Sequence, residues 1–177
     1  MRAIGIDPGK EGAIVVLSDL DVVYQRRADG PEGYHRHGAG EEPDAVAMAV
    51  AVLLAAGDEV PGLVVVEGAH WHAGKGRRMN AGTAGRLGIE HGAWRGALAG
   101  LGWPFLVLKA IQWRPMAGIR SIDRRNVKRP TIDHVLGMLP GLDLRPGRCT
   151  TDHDGLADAA GMALAARAYL RRASRPS

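Results

Sequence analysis

Two strand-length apolar runs in this chain each end on a carboxylate. Ile4-Gly5-Ile6 leads to Asp7, and Leu63-Val64-Val65-Val66 leads to Glu67. An ionised group at the end of a run that belongs in a sheet interior loses hydration, and a cation or several donors must offset the loss. The first run turns through Pro8-Gly9-Lys10-Glu11-Gly12 and resumes as Ala13-Ile14-Val15-Val16-Leu17, which reads as a β-hairpin. Asp-Pro and Pro-Gly pairs favour turns in their own right, so Asp7 alone does not separate a turn residue from a site. The second run is continuous, the pattern of a central strand covered on both faces.

Between and after these runs the punctuation alternates strands with helices. Asp21–Arg26 reads as a further antiparallel strand and residues 29–40 as a loop rich in Gly, His and Pro. Glu41-Glu42-Pro43-Asp44 opens a helix, with acids and Pro where the dipole favours them. Val46, Ala49, Val50, Leu53 and Leu54 follow the spacing of a core-facing stripe, and Gly57 stops it. A helix from about Asn80 to Gly100 carries an apolar stripe of Leu87, Trp94, Leu98 and Leu101 beside Gly88, Gly92, Gly96 and Gly100. That glycine row suits the close approach of another backbone, with Leu87, Trp94 and Leu98 offering apolar area for a two-fold contact. Pro104–Leu108 is a strand, Trp113 is read as core, Thr131–Leu139 is helical, and a last helix runs from near Asp152 to about Arg172. The expected organisation is one domain over residues 1–172 with a disordered tail at 173–177.

Composition narrows the chemistry. The single Cys149 excludes an intramolecular disulfide framework and a cysteine-based zinc cluster, which points to a reducing, cytoplasmic setting. Asp7 and Pro8 interrupt the first apolar stretch, so it does not read as a signal peptide, and no run reaches membrane-spanning length. From His70 to Arg129 there are twelve Lys or Arg against two acids, whereas the first 69 residues hold twelve of the nineteen acids. Such asymmetry suits a basic face for a polyanion.

The last helix adds the third acidic feature, Asp152-His153-Asp154-Gly155-Leu156-Ala157-Asp158. At 100° per residue Asp154 and Asp158 lie about 40° apart on one face. Like charges so placed destabilise an isolated helix, and Gly161 and Ala165 keep the same face small enough to pack on a sheet. Asp7, Glu67, Asp154 and Asp158 are therefore the candidate catalytic and metal-binding acids. Oxygen-only ligands favour Mg²⁺ or Mn²⁺, and two such ions can activate water and stabilise the leaving oxygen of a phosphodiester.

Ile4-Gly5-Ile6-Asp7-Pro8-Gly9 with Gly12-Ala13, Val64-Val65-Val66-Glu67, and His153-Asp154-Gly155-Leu156-Ala157-Asp158-Ala159 stand in an order and at separations that resemble the RuvC-type Holliday-junction resolvases, in particular the compact phage and viral branch. The resemblance spans nearly the whole chain. It implies an α/β, RNase H-like fold with a mixed central sheet, the first three strands antiparallel and the later ones parallel, flanked by helices. It further implies a homodimer that cuts four-way DNA junctions with Mg²⁺ or Mn²⁺, two ions per site. The departure lies in the last motif: the cellular resolvases place the acid or His three residues before the final Asp, where this chain has Gly155. Asp154 is the natural substitute, with Asp152 and His153 as alternatives.

The basic middle third supplies candidate DNA contacts: Lys75, Arg77 and Arg78 in the loop after Glu67, then Arg120, Arg124, Arg125 and Lys128. Trp71 suits either base stacking or a buried anchor, and Lys109 ends a strand that leads toward the acids. His70 and His72 make a poor metal signal without partners. Asp7-Pro8-Gly9 with Gly12 also resembles the phosphate loop of the sugar-kinase and actin fold, but that fold needs two such domains. An RNase H acting on RNA–DNA hybrids and a non-catalytic DNA-binding protein of the same fold remain the alternatives.

Overall fold

The computed structural model describes residues 1–8, 12–27, 45–68, 81–120, 128–147 and 150–174. Its strands are β1 (Arg2–Asp7), β2 (Ala13–Ser18), β3 (Asp21–Arg27), β4 (Leu63–Glu67) and β5 (Phe105–Leu108). The helices are α1 (Ala45–Ala56), α2 (Ala81–Gly100), α3 (Ala110–Met116), α4 (Lys128–Met138) and α5 (Asp154–Ala173). One sheet of order β3-β2-β1-β4-β5 carries the fold. β1, β2 and β3 pair antiparallel, while β4 pairs parallel with both β1 and β5. This is the expected mixed sheet.

Strand alternation sorts the side chains into two layers. Ile4, Ile6, Ile14, Val16, Val64 and Val66 point to α1 and α2, where they meet Met48, Val52, Trp94 and Leu98. Ala3, Leu63 and Val65 point the other way, toward α3 and α5, and Ala13, Val15 and Leu17 meet α4 and α5. Gly5 belongs to this second face, and α5 lies directly on it. A Cβ at Gly5 would stand 1.9 Å from the carbonyl oxygen of Ala159 and 2.5 Å from the amide nitrogen of Ala163. Only glycine permits that approach of helix to strand.

The α1 stripe faces the opposite way from the expectation. Val46, Val50, Leu53 and Leu54 are 73%, 47%, 44% and 61% exposed, whereas Met48, Ala51, Val52, Ala55 and Ala56 form the buried face. The helix is apolar all round, so spacing alone did not choose a face. A second correction concerns α2. Trp94 and Leu98 are fully buried in the chain's own core and offer nothing to a partner. Gly92, Gly96 and Gly100 do face open space, with nothing within 4 Å of a Cβ at any of them. The side chain of Leu87 lies outside the described residues, as do the expected helix opening at 41–44 and the loop at 29–40. Of the expected tail, Ala173 ends α5 and the Ser174 hydroxyl donates to the carbonyl of Leu170 at 2.8 Å, while residues 175–177 lie outside the described residues.

At its far end α5 is tied to the β2–β3 turn. Asp19, at φ 56°, accepts from Arg167 Nη2 at 2.7 Å and from Arg171 Nη2 at 3.0 Å. The hydrogen bond from Arg167 and its charge hold the Asp19 carboxyl below the usual aspartate range.

Candidate metal centre

Parity of the strands decides where the acids go. Asp7 continues the Ala3-Gly5 face of β1, and Glu67 continues the Leu63-Val65 face of β4. Because β1 and β4 are parallel neighbours with Gly5 opposite Val65, the two carboxylates end adjacent strands on the side that α5 covers. From α5, Asp158 comes down toward them, one turn along from Asp154.

The electrostatics show that three of these acids share one environment. Burial pushes the Asp7 carboxyl well above its ordinary value, and the negative charges of Glu67 and Asp158 push it further. Burial raises Asp158 to about 6, again with Glu67 adding to it. Glu67 is also raised by burial, although a hydrogen bond from Trp113 and the charge of Arg114 act against the rise. Groups perturbed in this way by desolvation and by one another are candidates for a functional site.

Among the described residues, positive charge reaches the cluster from two side chains. Lys128, the first residue of α4, is ion-paired with Asp154 and favours the charged forms of Asp7 and Asp158 as well. Arg114 of α3 places Nη2 3.7 Å from Oδ1 of Asp158. Asp154 is the outermost acid, its side chain 42% exposed against 22% for Asp158.

The two alternatives at the start of α5 are engaged elsewhere. Asp152 accepts from Arg145 Nε at 2.7 Å and has Arg129 Nη1 at 3.8 Å. His153 is the N-cap of α5, its Nδ1 accepting the backbone N–H of Leu156 at 3.1 Å. That nitrogen is therefore occupied.

Acidic oxygens, partial desolvation and mutual repulsion fit a hard divalent cation. Among the described residues no three acidic, His or Cys side chains close into a coordination shell.

Of the expected DNA contacts, Arg120 is exposed just beyond α3, and Lys128 stands at the acids themselves rather than on a separate surface. Lys75, Arg77, Arg78, Arg124 and Arg125 lie outside the described residues, as do His70, Trp71 and His72. Lys109 is exposed at the N-cap of α3, where its backbone N–H donates to Gln112 Oε1 at 2.9 Å. Sequence reasoning missed two participants. Arg114 was one basic residue among many in a basic third. Trp113 was correctly placed in the core, being fully buried, yet its Nε1–H also donates to Glu67 Oε1 at 3.3 Å. The signal available for it was general: a buried indole usually finds an acceptor.

No protein-family model matches the chain, and no curated protein matches it. Solved structures do. A Thermus thermophilus RuvC structure matches at 20% identity with a TM-score of 0.65, covering 98% of this chain and 98% of that one. A second, T. thermophilus RuvC in complex with a Holliday junction substrate, matches at 19% identity and a TM-score of 0.63, covering 97% of this chain and 96% of that one. Near-complete coverage in both directions shows that this chain shares the α/β fold of those RuvC structures.

Proposed function

We propose that this protein is a structure-selective DNA endonuclease that resolves four-way junctions by divalent-metal-dependent hydrolysis with paired nicks. The observation that carries the reading is the convergence of Asp7, Glu67 and Asp158 from β1, β4 and α5 into one desolvated, mutually repelling group. The fold-level likeness to a protein held with a Holliday junction supports the choice of substrate.

In this reading Asp7, Glu67 and Asp158 hold Mg²⁺ or Mn²⁺, and Asp154 completes the set. Bound divalent cations supply an activated water and charge stabilisation at the leaving oxygen. The chain's own residues do the rest. The α5 backbone pressed on Gly5 sets the depth at which Asp158 meets Asp7. Lys128 and Arg114 pair with Asp154 and Asp158 and offset their charge; the exposed Lys128 would be the one of the two able to turn to a DNA phosphate. Arg120 and the basic segments at 75–78 and 124–125 extend the phosphate-binding surface.

Paired cuts call for two sites, and a two-fold dimer matches the near-two-fold symmetry of a junction. The exposed apolar residues of α1 and the open glycine row of α2 support placing the contact on that layer. Among the described residues no helix is long and apolar enough to cross a membrane.

The deciding assay sets a synthetic four-way junction, a linear duplex and an RNA–DNA hybrid side by side, with Mg²⁺, Mn²⁺ or EDTA. The expected outcome is symmetric nicking of the junction that EDTA abolishes. Asp7→Asn and Glu67→Gln should each remove most cleavage while junction binding persists. Cutting confined to the hybrid would make the protein an RNase H. Metal-independent binding without any cutting would make it a junction-binding protein.

A further inference from the structure

Glu67 is gripped from behind by a side chain that has almost no freedom to move. The Trp113 indole is fully buried among Ala3, Leu63, Val65, Ile119, Met162 and Ala165. It lies against α5 at Gly161, where a Cβ would stand 2.6 Å from the ring carbon Cζ3. The Arg114 guanidinium also sits over the ring, 5.2 Å from its centroid and itself only 17% exposed. Packed in this way, the ring can present its one polar atom in one direction only, and Nε1–H donates to Oε1 of Glu67 at 3.3 Å.

From this geometry, and resting on the metal reading above, we propose that Trp113 is a positioning residue. Its N–H occupies one lone pair of Oε1 and fixes the tilt of the Glu67 carboxylate, leaving Oε2 for a divalent cation held with Asp7 and Asp158. A flexible Glu at a strand end would otherwise lose rotamer freedom on meeting an ion, and a preset carboxylate avoids that cost. Outer partners of this kind are typically worth about 10–100-fold in metal affinity. α3 thereby couples two acids from different elements through consecutive residues: Trp113 on Glu67 of β4, and Arg114 on Asp158 of α5.

The test uses the full chain without DNA, with Mn²⁺ as the probe. Binding is read by calorimetry and by the electron paramagnetic resonance signal of free Mn²⁺, and thermal melting in EDTA reports the fold. Trp113→Phe keeps an aromatic core residue and deletes the donor, so Mn²⁺ binding should weaken by about tenfold. If the smaller ring leaves a cavity that unfolds the chain, benzothienylalanine at position 113 keeps the bicyclic shape and puts sulfur in place of the N–H. Glu67→Gln should weaken binding too, and adding Trp113→Phe to it should cost nothing more, because Trp113 acts through Glu67. Unchanged Mn²⁺ affinity in the folded N–H-deleted protein overturns the proposal. So does a full additional loss in the double variant, which would mark a purely structural tryptophan. Failure of the unaltered protein to bind Mn²⁺ would remove the metal reading itself, and this inference with it.

Discussion

The two faces of the sheet are built on opposite packing rules. On the α1–α2 side, medium and large side chains interdigitate: Ile4, Ile6, Val64 and Val66 against Met48, Val52, Trp94 and Leu98. On the α5 side, small meets small at the centre, with Ala3 and Gly5 beneath Ala159, Ala163 and Ala166, while Trp113, Val65 and Met162 fill the flank. Interdigitating side chains tolerate repacking, because a neighbouring rotamer can yield. Backbone against backbone cannot yield. The rigid face is the one that carries Asp7, Glu67 and Asp158, where small displacements would change charge–charge distances most.

The sharpest way to break this contrast is to add carbon to each face. Gly5→Val drives a Cβ into the Ala159 carbonyl, so the α5 layer must lift. We expect a loss of about 3 kcal/mol or more in urea unfolding, or no folded protein. Gly92→Ala meets open space inside α2 and should stabilise by roughly 0.5–1 kcal/mol. Similar tolerance at both positions would erase the distinction.

Second in size is the electrostatic cost of the rigid face. Asp158 rises from 3.8 to about 6 on folding. A carboxyl raised in this way holds its proton more tightly when folded, so its contribution is fully present below about pH 3.8 and is lost as pH climbs through 6. Asp158→Asn in EDTA should therefore stabilise the protein at about pH 8, by on the order of 2–3 kcal/mol. The gain should shrink toward zero near pH 4. A gain that did not depend on pH would point to packing rather than charge.

The smallest effect on the monomer is expected on the outer side of the adaptable face. Val50→Lys with Leu54→Lys should change unfolding free energy by no more than about 0.5 kcal/mol, since both positions are exposed. If the α1–α2 layer is where two copies meet, sedimentation will turn dimers into monomers, and junctions will be nicked without being resolved. A dimer that survives both lysines moves the contact elsewhere.

What was legible in the sequence follows from the range of the forces involved. Asp7 and Glu67 could be read because an acid ending an apolar run conflicts with burial locally. Asp154 and Asp158 could be read because a helix repeats every 3.6 residues or so. The face of α1 could not be read: Ala45–Ala56 is apolar in every direction, and the choice belongs to the shape of the sheet it meets. Trp113 was legible as core from its type, but its acceptor is 46 residues away on another element. Lys128 read as one cation in a basic run, and only the meeting of α4 with the start of α5 assigns it to Asp154.

The parallel pairing of β1 with β4 has a consequence for how this chain can change over generations. Asp7 and Glu67 reach α5 because each sits an even number of residues beyond a small or branched neighbour that also faces it. Inserting or deleting one codon within Arg2–Ile6 or Leu63–Val66 would swing the carboxylate to the opposite side, among Met48, Val52 and Trp94. Length variation in descendants of this sequence should therefore collect between strands, while the two short strand segments keep their count even as their aliphatic residues drift.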